Sequence, residues 1–432
     1  MRRLPYVILC LGGVAMAEPE PPPEQPPVVQ PSPPAPLPPQ PSEPPPVAPL
    51  APTPPPPEPE PSAREVEALA SYEPSSVQLG GFLQTQYRMR EDSDAQADTN
   101  GFKLARARLI GLGQTRAGNL ELSAYVEAEL QPTFFLTDAY ATVTRALPMN
   151  ARLTVDGGQM RVPISRQNLL SDSRLAFVDK AQLATIAPDR DLGVRVAFDL
   201  PRPDVKRRKS LRPPGVRVIG AVFNGEGPNQ VENINQEYFY VGRMEVTALG
   251  QEQVLAESAF GGRFLKLSGS VGRNKRSEGD RLDTVTYLGV DVAGAYRGLS
   301  GSFEYLEVRH VQTLFDGLDD PNTLDFKANG FSAQLNYLLP FKLPPHKQAR
   351  FELGVRLEEI DRNDTIPIVQ PGEPGQSVRA ITAVASYYLR MHSLKAQLAY
   401  TAFSELEDET VVGGNATFDN DQLLLQVTYR LE

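Results

Sequence analysis

Residues 119–130 read Asn-Leu-Glu-Leu-Ser-Ala-Tyr-Val-Glu-Ala-Glu-Leu. Leu120, Leu122, Ala124, Val126, Ala128 and Leu130 share one parity; Asn119, Glu121, Ser123, Tyr125, Glu127 and Glu129 share the other. Successive side chains of a strand point to opposite faces, so this spacing predicts a strand with one apolar and one polar face. The same alternation, mainly apolar against mainly polar, runs through Val77, Leu79, Gly81, Leu83, Thr85, Tyr87 and Met89 against Gln78, Gly80, Phe82, Gln84, Gln86, Arg88 and Arg90. It returns at the end, where Leu423, Leu425, Val427, Tyr429 and Leu431 alternate with Gln422, Leu424, Gln426, Thr428 and Arg430.

Working outward from these stretches gives about sixteen segments, near 77–90, 101–114, 118–130, 134–146, 151–162, 191–200, 215–223, 238–248, 259–272, 283–296, 299–312, 326–339, 348–360, 377–391, 393–403 and 417–431. The connectors alternate between tight ones, such as Arg297-Gly298 and His392-Ser393, and long polar ones, such as 163–190, 224–237 and 361–376. A soluble sandwich has no use for so many one-faced strands joined so unevenly. A transmembrane antiparallel β-barrel does, with short periplasmic turns, long outer loops, apolar positions toward lipid and a polar interior. It must close, because an unpaired strand edge cannot sit in hydrocarbon. From residue 75 onward there are 358 residues, about 22 per strand and connector. Sixteen strands enclose a water-filled lumen. The barrel is therefore read as a channel for passive diffusion of small hydrophilic solutes, placed in the bacterial outer membrane with its lipid as solvent.

Composition supports this class and removes others. The formal charge is −10 with a pI of about 5.1, which argues against a nucleic-acid partner. Three histidines and one cysteine leave little for a zinc site, and no Gly-rich phosphate loop or G-x-S-x-G elbow occurs. Neither catalysis nor a cofactor is expected. Residues 1–17, with Arg2 and Arg3, an apolar run and Ala15-Met16-Ala17, have the layout of a signal peptide. Residues 18–62 hold 24 Pro in 45 positions, which makes 18–74 a disordered Pro-rich periplasmic linker; extended, the Pro-rich part spans on the order of 140 Å. Its expected role is a solvated tether. The alternative is a ligand for a cell-wall or periplasmic partner, in which case the whole protein would be a structural barrel anchoring the outer membrane to the wall.

Particular residues carry a family resemblance. Phe102-Lys103-Leu104-Ala105-Arg106-Ala107-Arg108-Leu109, Thr137-Asp138-Ala139-Tyr140, Gly158-Gln159-Met160-Arg161-Val162-Pro163-Ile164-Ser165, Pro188-Asp189-Arg190-Asp191-Leu192-Gly193-Val194 and Phe223-Asn224-Gly225-Glu226-Gly227 occur in order. The chain over 75–250 resembles the phosphate-selective porin O and P family. The resemblance implies a sixteen-stranded homotrimeric barrel whose third outer loop, 163–190 here, folds inward as a constriction. Arg166, Arg174, Lys180 and Arg190 would then stand at the narrowing and favour anions.

The pore-lining and anion-binding candidates are accordingly Arg106, Arg108, Arg161, Arg166, Arg174, Lys180 and Arg190, with Arg195 and Arg243 as further lumen residues. Rings of Arg and Lys in a narrow aqueous pore lower the barrier to anions, including phosphate. Against this, the chain from 75 onward carries 40 basic and 44 acidic residues, and Glu121, Glu127 and Glu129 are available to pair with Arg106 and Arg108. Lys206-Arg207-Arg208-Lys209 is read as a solvated turn, and the histidines as surface residues. Tyr87, Tyr238, Phe239, Tyr240, Tyr287, Tyr387, Tyr388 and Tyr429 are read as interfacial girdles.

Overall fold

A computed structural model describes residues 75–431 apart from 91–99, 201–214, 251, 253–254, 259, 261, 279–280, 315–321, 341–348, 363–376, 406–409, 412–413 and 416–420. The expected signal peptide, the Pro-rich arm and the basic turn 206–209 lie outside the described residues.

The strands are β1 (Ser76–Arg90), β2 (Gly101–Ala117), β3 (Leu120–Glu129), β4 (Phe135–Ala146), β5 (Arg152–Arg161), β6 (Arg190–Leu200), β7 (Gly215–Phe223), β8 (Phe239–Gly250), β9 (Phe264–Glu278), β10 (Arg281–Tyr296), β11 (Leu299–Leu314), β12 (Asn322–Leu338), β13 (Arg350–Asp361), β14 (Ser377–Arg390), β15 (Leu394–Glu405), β16 (Thr410–Val411), β17 (Gly414–Asn415) and β18 (Gln422–Leu431). Sixteen of them close into one antiparallel barrel, each pairing with its neighbour in sequence and β18 pairing with both β15 and β1; β16 and β17 form a separate two-stranded hairpin. The closing seam runs from Gly81↔Leu431 to Arg90↔Gln422.

Register places the two parities as the alternation requires. Leu265, Leu267 and Val271 on β9, and Leu423, Leu425 and Val427 on β18, are exposed on the outer surface. Ser268, Ser270, Gln426 and Thr428, between them, are buried inward. In water such an outer surface would cost roughly 25 cal/mol for every Å² of apolar area, whereas in hydrocarbon it costs nothing. Across the seam, Gln86 Nε2 donates to Gln426 Oε1 at 2.6 Å and Gln84 Nε2 to Thr428 Oγ1 at 3.2 Å, so the inner face is laced with side-chain amides and hydroxyls.

The connectors have two ends. Gly118-Asn119, Arg297-Gly298 and 391–393 are tight turns at one end. Arg297 and Gly298 both have positive φ (50° and 88°), the pairing that a two-residue hairpin turn matched to strand twist demands. The long connectors lie at the other end. One expected boundary moves: β9 begins at Phe264, not near 259, and runs to Glu278, leaving two residues before β10. The apolar alternation stops at Val271, but pairing continues through Arg273↔Thr286 and Lys275↔Thr284, where polar residues occupy both faces.

The interior is not simply polar. Met160, Val162, Ile164, Leu183, Phe223, Phe239, Val241 and Leu306 are buried together on the inner side of β7–β11. A second group joins Ala176, Phe177 and Val178 to Val384, Ala399 and Leu424. Both clusters exist because residues 162–189, between β5 and β6, are packed inside the barrel.

Candidate functional site

Segment 162–189 begins where β5 ends and is held by side chains from many strands. Arg243 Nη1 and Ser270 Oγ both donate to Ile164 O, at 3.1 and 2.8 Å. Arg166–Leu169 makes one helical turn, capped by Ser165. The Glu304 carboxylate accepts the Arg166 and Gln167 backbone N–H groups at 2.8 and 3.2 Å, placing an anion where the turn exposes unpaired donors. Asn168 Nδ2 donates to the carbonyls of Ala184, Ala187 and Pro188 and so ties the two halves of the segment together.

The middle of the segment lies against the opposite seam. Gln84 Nε2 donates to Asp172 O at 3.2 Å, Arg430 Nη1 to Ser173 Oγ at 2.8 Å, and Lys395 Nζ to Leu175 O at 2.5 Å. Ser386 Oγ and Gln397 Nε2 both donate to Ala176 O. Phe177 is fully buried, with the Arg356 guanidinium 4.5 Å from its ring centroid. Arg356 also donates to the carbonyls of Asp179 and Lys180, and Glu358 accepts the Gln182 N–H.

A second segment, between β8 and β9 at the tight-turn end, reaches the same place. Glu252 pairs with Arg166 at 2.6 Å and with Lys266 at 2.8 Å. The Glu257 carboxylate accepts from Gln167 Nε2 at 3.0 Å and from the Ala176 N–H at 2.8 Å, while its own N–H donates to Arg174 O. Ser258 Oγ lies 2.9 Å from His392 Nε2, and Phe260 stacks edge-on against Tyr388 and His392.

Much of the charge inside the barrel is paired. Arg108 meets Glu127 and Glu129 at 2.7 Å each and Asp172 at 3.0 Å; Arg106 meets Asp172 at 3.3 Å and Asp179 at 3.8 Å. Arg190 meets Asp138 at 3.1 Å and Asp189 at 2.5 Å, and Arg243 meets Asp291 at 2.6 Å. Burial alone would push the Asp172 carboxyl up; Arg106, Lys180 and Arg108 override it and hold the group well below the carboxylate range. Burial lowers the Lys180 ammonium to about 8, with Asp172 opposing the shift and Arg161 adding to it.

One cavity of about 520 Å³ remains between this segment and the wall from β1 to β6. Arg161, Arg174, Arg195 and Arg430 line it together with Glu127 and Asp138. Among the described residues no cluster of His, Cys, Asp and Glu could hold a metal ion.

The sequence pattern of the family described as "Phosphate-selective porin O and P" matches residues 77–431, the whole of the barrel. The chain belongs to this family. It is thus a porin, a non-enzymatic channel of the bacterial outer membrane. No curated protein matches its sequence. Solved structures with a similar arrangement include the trimer form of in-vitro-folded OmpT from Vibrio cholerae, at 11% identity and a TM-score of 0.49 over 83% of this chain and 100% of that one. Salmonella typhi OmpF in complex with daunomycin and the outer-membrane channel DcaP of Acinetobacter baumannii each share 12% identity at a TM-score of 0.48, over 82% of this chain and 97% of theirs.

Of the residues singled out from the porin's sequence, Arg161 and Arg174 line the cavity, and so does Arg195. Arg106 and Arg108 face inward on β2 but are tied to carboxylates. Arg166 is 3% exposed and closed off against Glu252, and Arg190 is 6% exposed against Asp138. Lys180 is half-buried in the segment itself. Arg430, Glu252, Glu257 and Glu304 escaped the sequence reading. Only the inward parity of Glu304 and Arg430 on their strands could have flagged them. Two expectations are corrected. His392 is buried rather than superficial, because Ser258 and Phe260 lie against it. Phe239, Tyr287 and Tyr388 turn inward rather than joining a girdle: Phe239 and Tyr287 pack in the inner cluster, and the Tyr388 hydroxyl donates to Glu352 at 2.6 Å.

Proposed function

We propose that the porin passes small anions in preference to cations, through the space left beside segment 162–189. The observation that carries this is the lining of the 520 Å³ cavity, where four arginines stand against two carboxylates. Glu127 is engaged by Arg108, Asp138 is shared between Arg190 at 3.1 Å and Arg161 at 3.6 Å, and Arg195 pairs with Asp156 at 2.9 Å, so the arginine side stays in excess. Guanidinium groups so placed lower the barrier to anions and raise it for cations. On this reading 162–189 sets the size limit, Arg161, Arg174, Arg195, Arg430 and Lys180 set the charge preference, and Arg108, Arg166 and Arg190 hold the constriction in place. Arg88 and Lys103, on the inner face of β1 and β2, would collect anions at the loop end. Phosphate is one candidate solute. The same reading takes residues 1–17 as a secretion signal, 18–74 as a periplasmic spacer and the working state as a homotrimer.

The test is the reversal potential of the full-length protein in a planar bilayer under a KCl gradient. An anion-selective potential that moves toward the cation side in an Arg161→Gln, Arg174→Gln double variant is expected. A cation-selective wild type, or a variant with unchanged selectivity, overturns the proposal.

A further inference from the structure

The cavity beneath segment 162–189 is lined in a way that a path for inorganic ions alone does not require. Beside its arginines stand Ile110 and Leu112 of β2, with Tyr125, Tyr140, Leu169 and Leu255. Register fixes the first two: Ile110 sits opposite Glu127 and Leu112 opposite Tyr125, so both face the lumen, half-buried. The Tyr125 and Tyr140 rings lie 5.4 Å apart and continue the same apolar wall. Holding Ile and Leu against a column of water is unfavourable, with no return if the solute is a bare tetrahedral ion.

The opposite flank is cationic and fixed. Arg161 Nη1 donates to the carbonyls of Leu169 and Leu170 at 3.0 and 2.5 Å, contacts that orient the guanidinium, and its Nε lies 3.6 Å from Asp138, a carboxylate already engaged by Arg190 at 3.1 Å. Arg430 is positioned by Ser173 Oγ at 2.8 Å and Arg195 by Asp156 at 2.9 Å. A volume of about 520 Å³ lies within the range of small-molecule sites, which are mostly apolar with a few placed polar groups.

We propose that this vestibule is a binding site for organic anions that carry a carboxylate on an aromatic or compact apolar body. The carboxylate meets the arginine flank, whose planar forks suit its two oxygens, and the body lies on Ile110, Leu112 and the tyrosine pair. The proposal rests on the anion-channel reading and narrows it to a solute class.

The experiment compares two anions of equal charge and equal head group. Benzoate and acetate are added separately, at matched concentrations, to the full-length protein during single-channel recording in KCl, with inorganic phosphate as a third probe. Benzoate is expected to halve the current at a concentration at least tenfold below that of acetate, and below that of phosphate. Leu112→Asn should remove most of that difference while leaving acetate unchanged. Ile110→Thr, which keeps a β-branched residue in the strand, should reduce it by a few fold should the first variant fail to fold. Arg430→Gln should weaken block by both carboxylates. Normal conductance with benzoate and acetate equal, or with phosphate the stronger blocker, overturns the site and leaves the anion channel standing. Selectivity for cations in the same recordings would overturn both.

Discussion

Replacing Phe177 by alanine tests whether apolar packing is what keeps the constricting segment seated. Phe177 is fully buried between Ala176 and Val178 and the inward-facing Val384, Ala399 and Leu424, with Arg356 over its ring. Truncating a buried Phe to Ala costs about 3–5 kcal/mol. The lost guanidinium contact adds about 0.5–2 kcal/mol. The backbone contacts from Lys395 and Gln397 are untouched, so the lower end of the combined range applies, about 3.5–4 kcal/mol between seated and released segment. At about 1.4 kcal/mol per tenfold, the released population rises by roughly two to three orders of magnitude. The barrel wall loses little, since its ladders do not pass through this side chain. In single-channel recordings the wild type should hold one level, and Phe177→Ala should flicker to a larger conductance as the lumen empties. Heat-modifiable migration on a gel would show that the barrel is folded. A folded Phe177→Ala barrel with wild-type current and noise would refute the argument that packing seats the segment.

Glu257→Gln keeps one acceptor but sets an amide N–H₂ against donors; hydrogen bonds to charged groups are worth about 1.5–3 kcal/mol each, so the same flicker should occur at a level set by about 2–3 kcal/mol. Arg108→Gln leaves Glu127, Glu129 and Asp172 facing one another, and breaking such a buried set should cost about 3–5 kcal/mol, read as a lower urea midpoint for the folded barrel in lipid. Lys180, with its ammonium lowered to about 8, loses its charge as pH rises through that value; anion preference should therefore fall between about pH 7 and about pH 9, and Lys180→Gln should flatten the profile.

The barrel was legible because period two survives in almost every strand. Leu423 to Leu431 is enough to say which side chains meet lipid. Where alternation in polarity fades while pairing continues, as at Arg273 to Glu278, the boundary was misplaced. The inward segment was legible as a gap of the right length, but not its partners, since Glu304, Arg356 and Lys395 lie more than a hundred residues from the atoms they hold. Whether Arg108 stood open or paired could not be read from composition. Register decides it, because Arg108↔Glu129 is one rung of the β2–β3 ladder. The inward contacts of Glu252 and Glu257 carry no signal of this kind, Glu257 being indistinguishable in sequence from any turn glutamate.

Segment 162–189 leaves the wall at β5, yet its middle is fastened on both sides of the seam, by Gln84 on β1 and by Arg430 on β18. Those two strands are the first and last of the barrel and meet only when the circle is complete. Asp172 and Ser173 can therefore find both partners only after the final ladder has formed. The constriction is in this sense a timing device: a chain caught before closure would be open along one side and unplugged through the middle. Seating of the segment marks the moment when the lumen is filled by 162–189. Protease sensitivity near Asp172 during assembly would then report on closure of a seam that the cleavage site itself does not belong to.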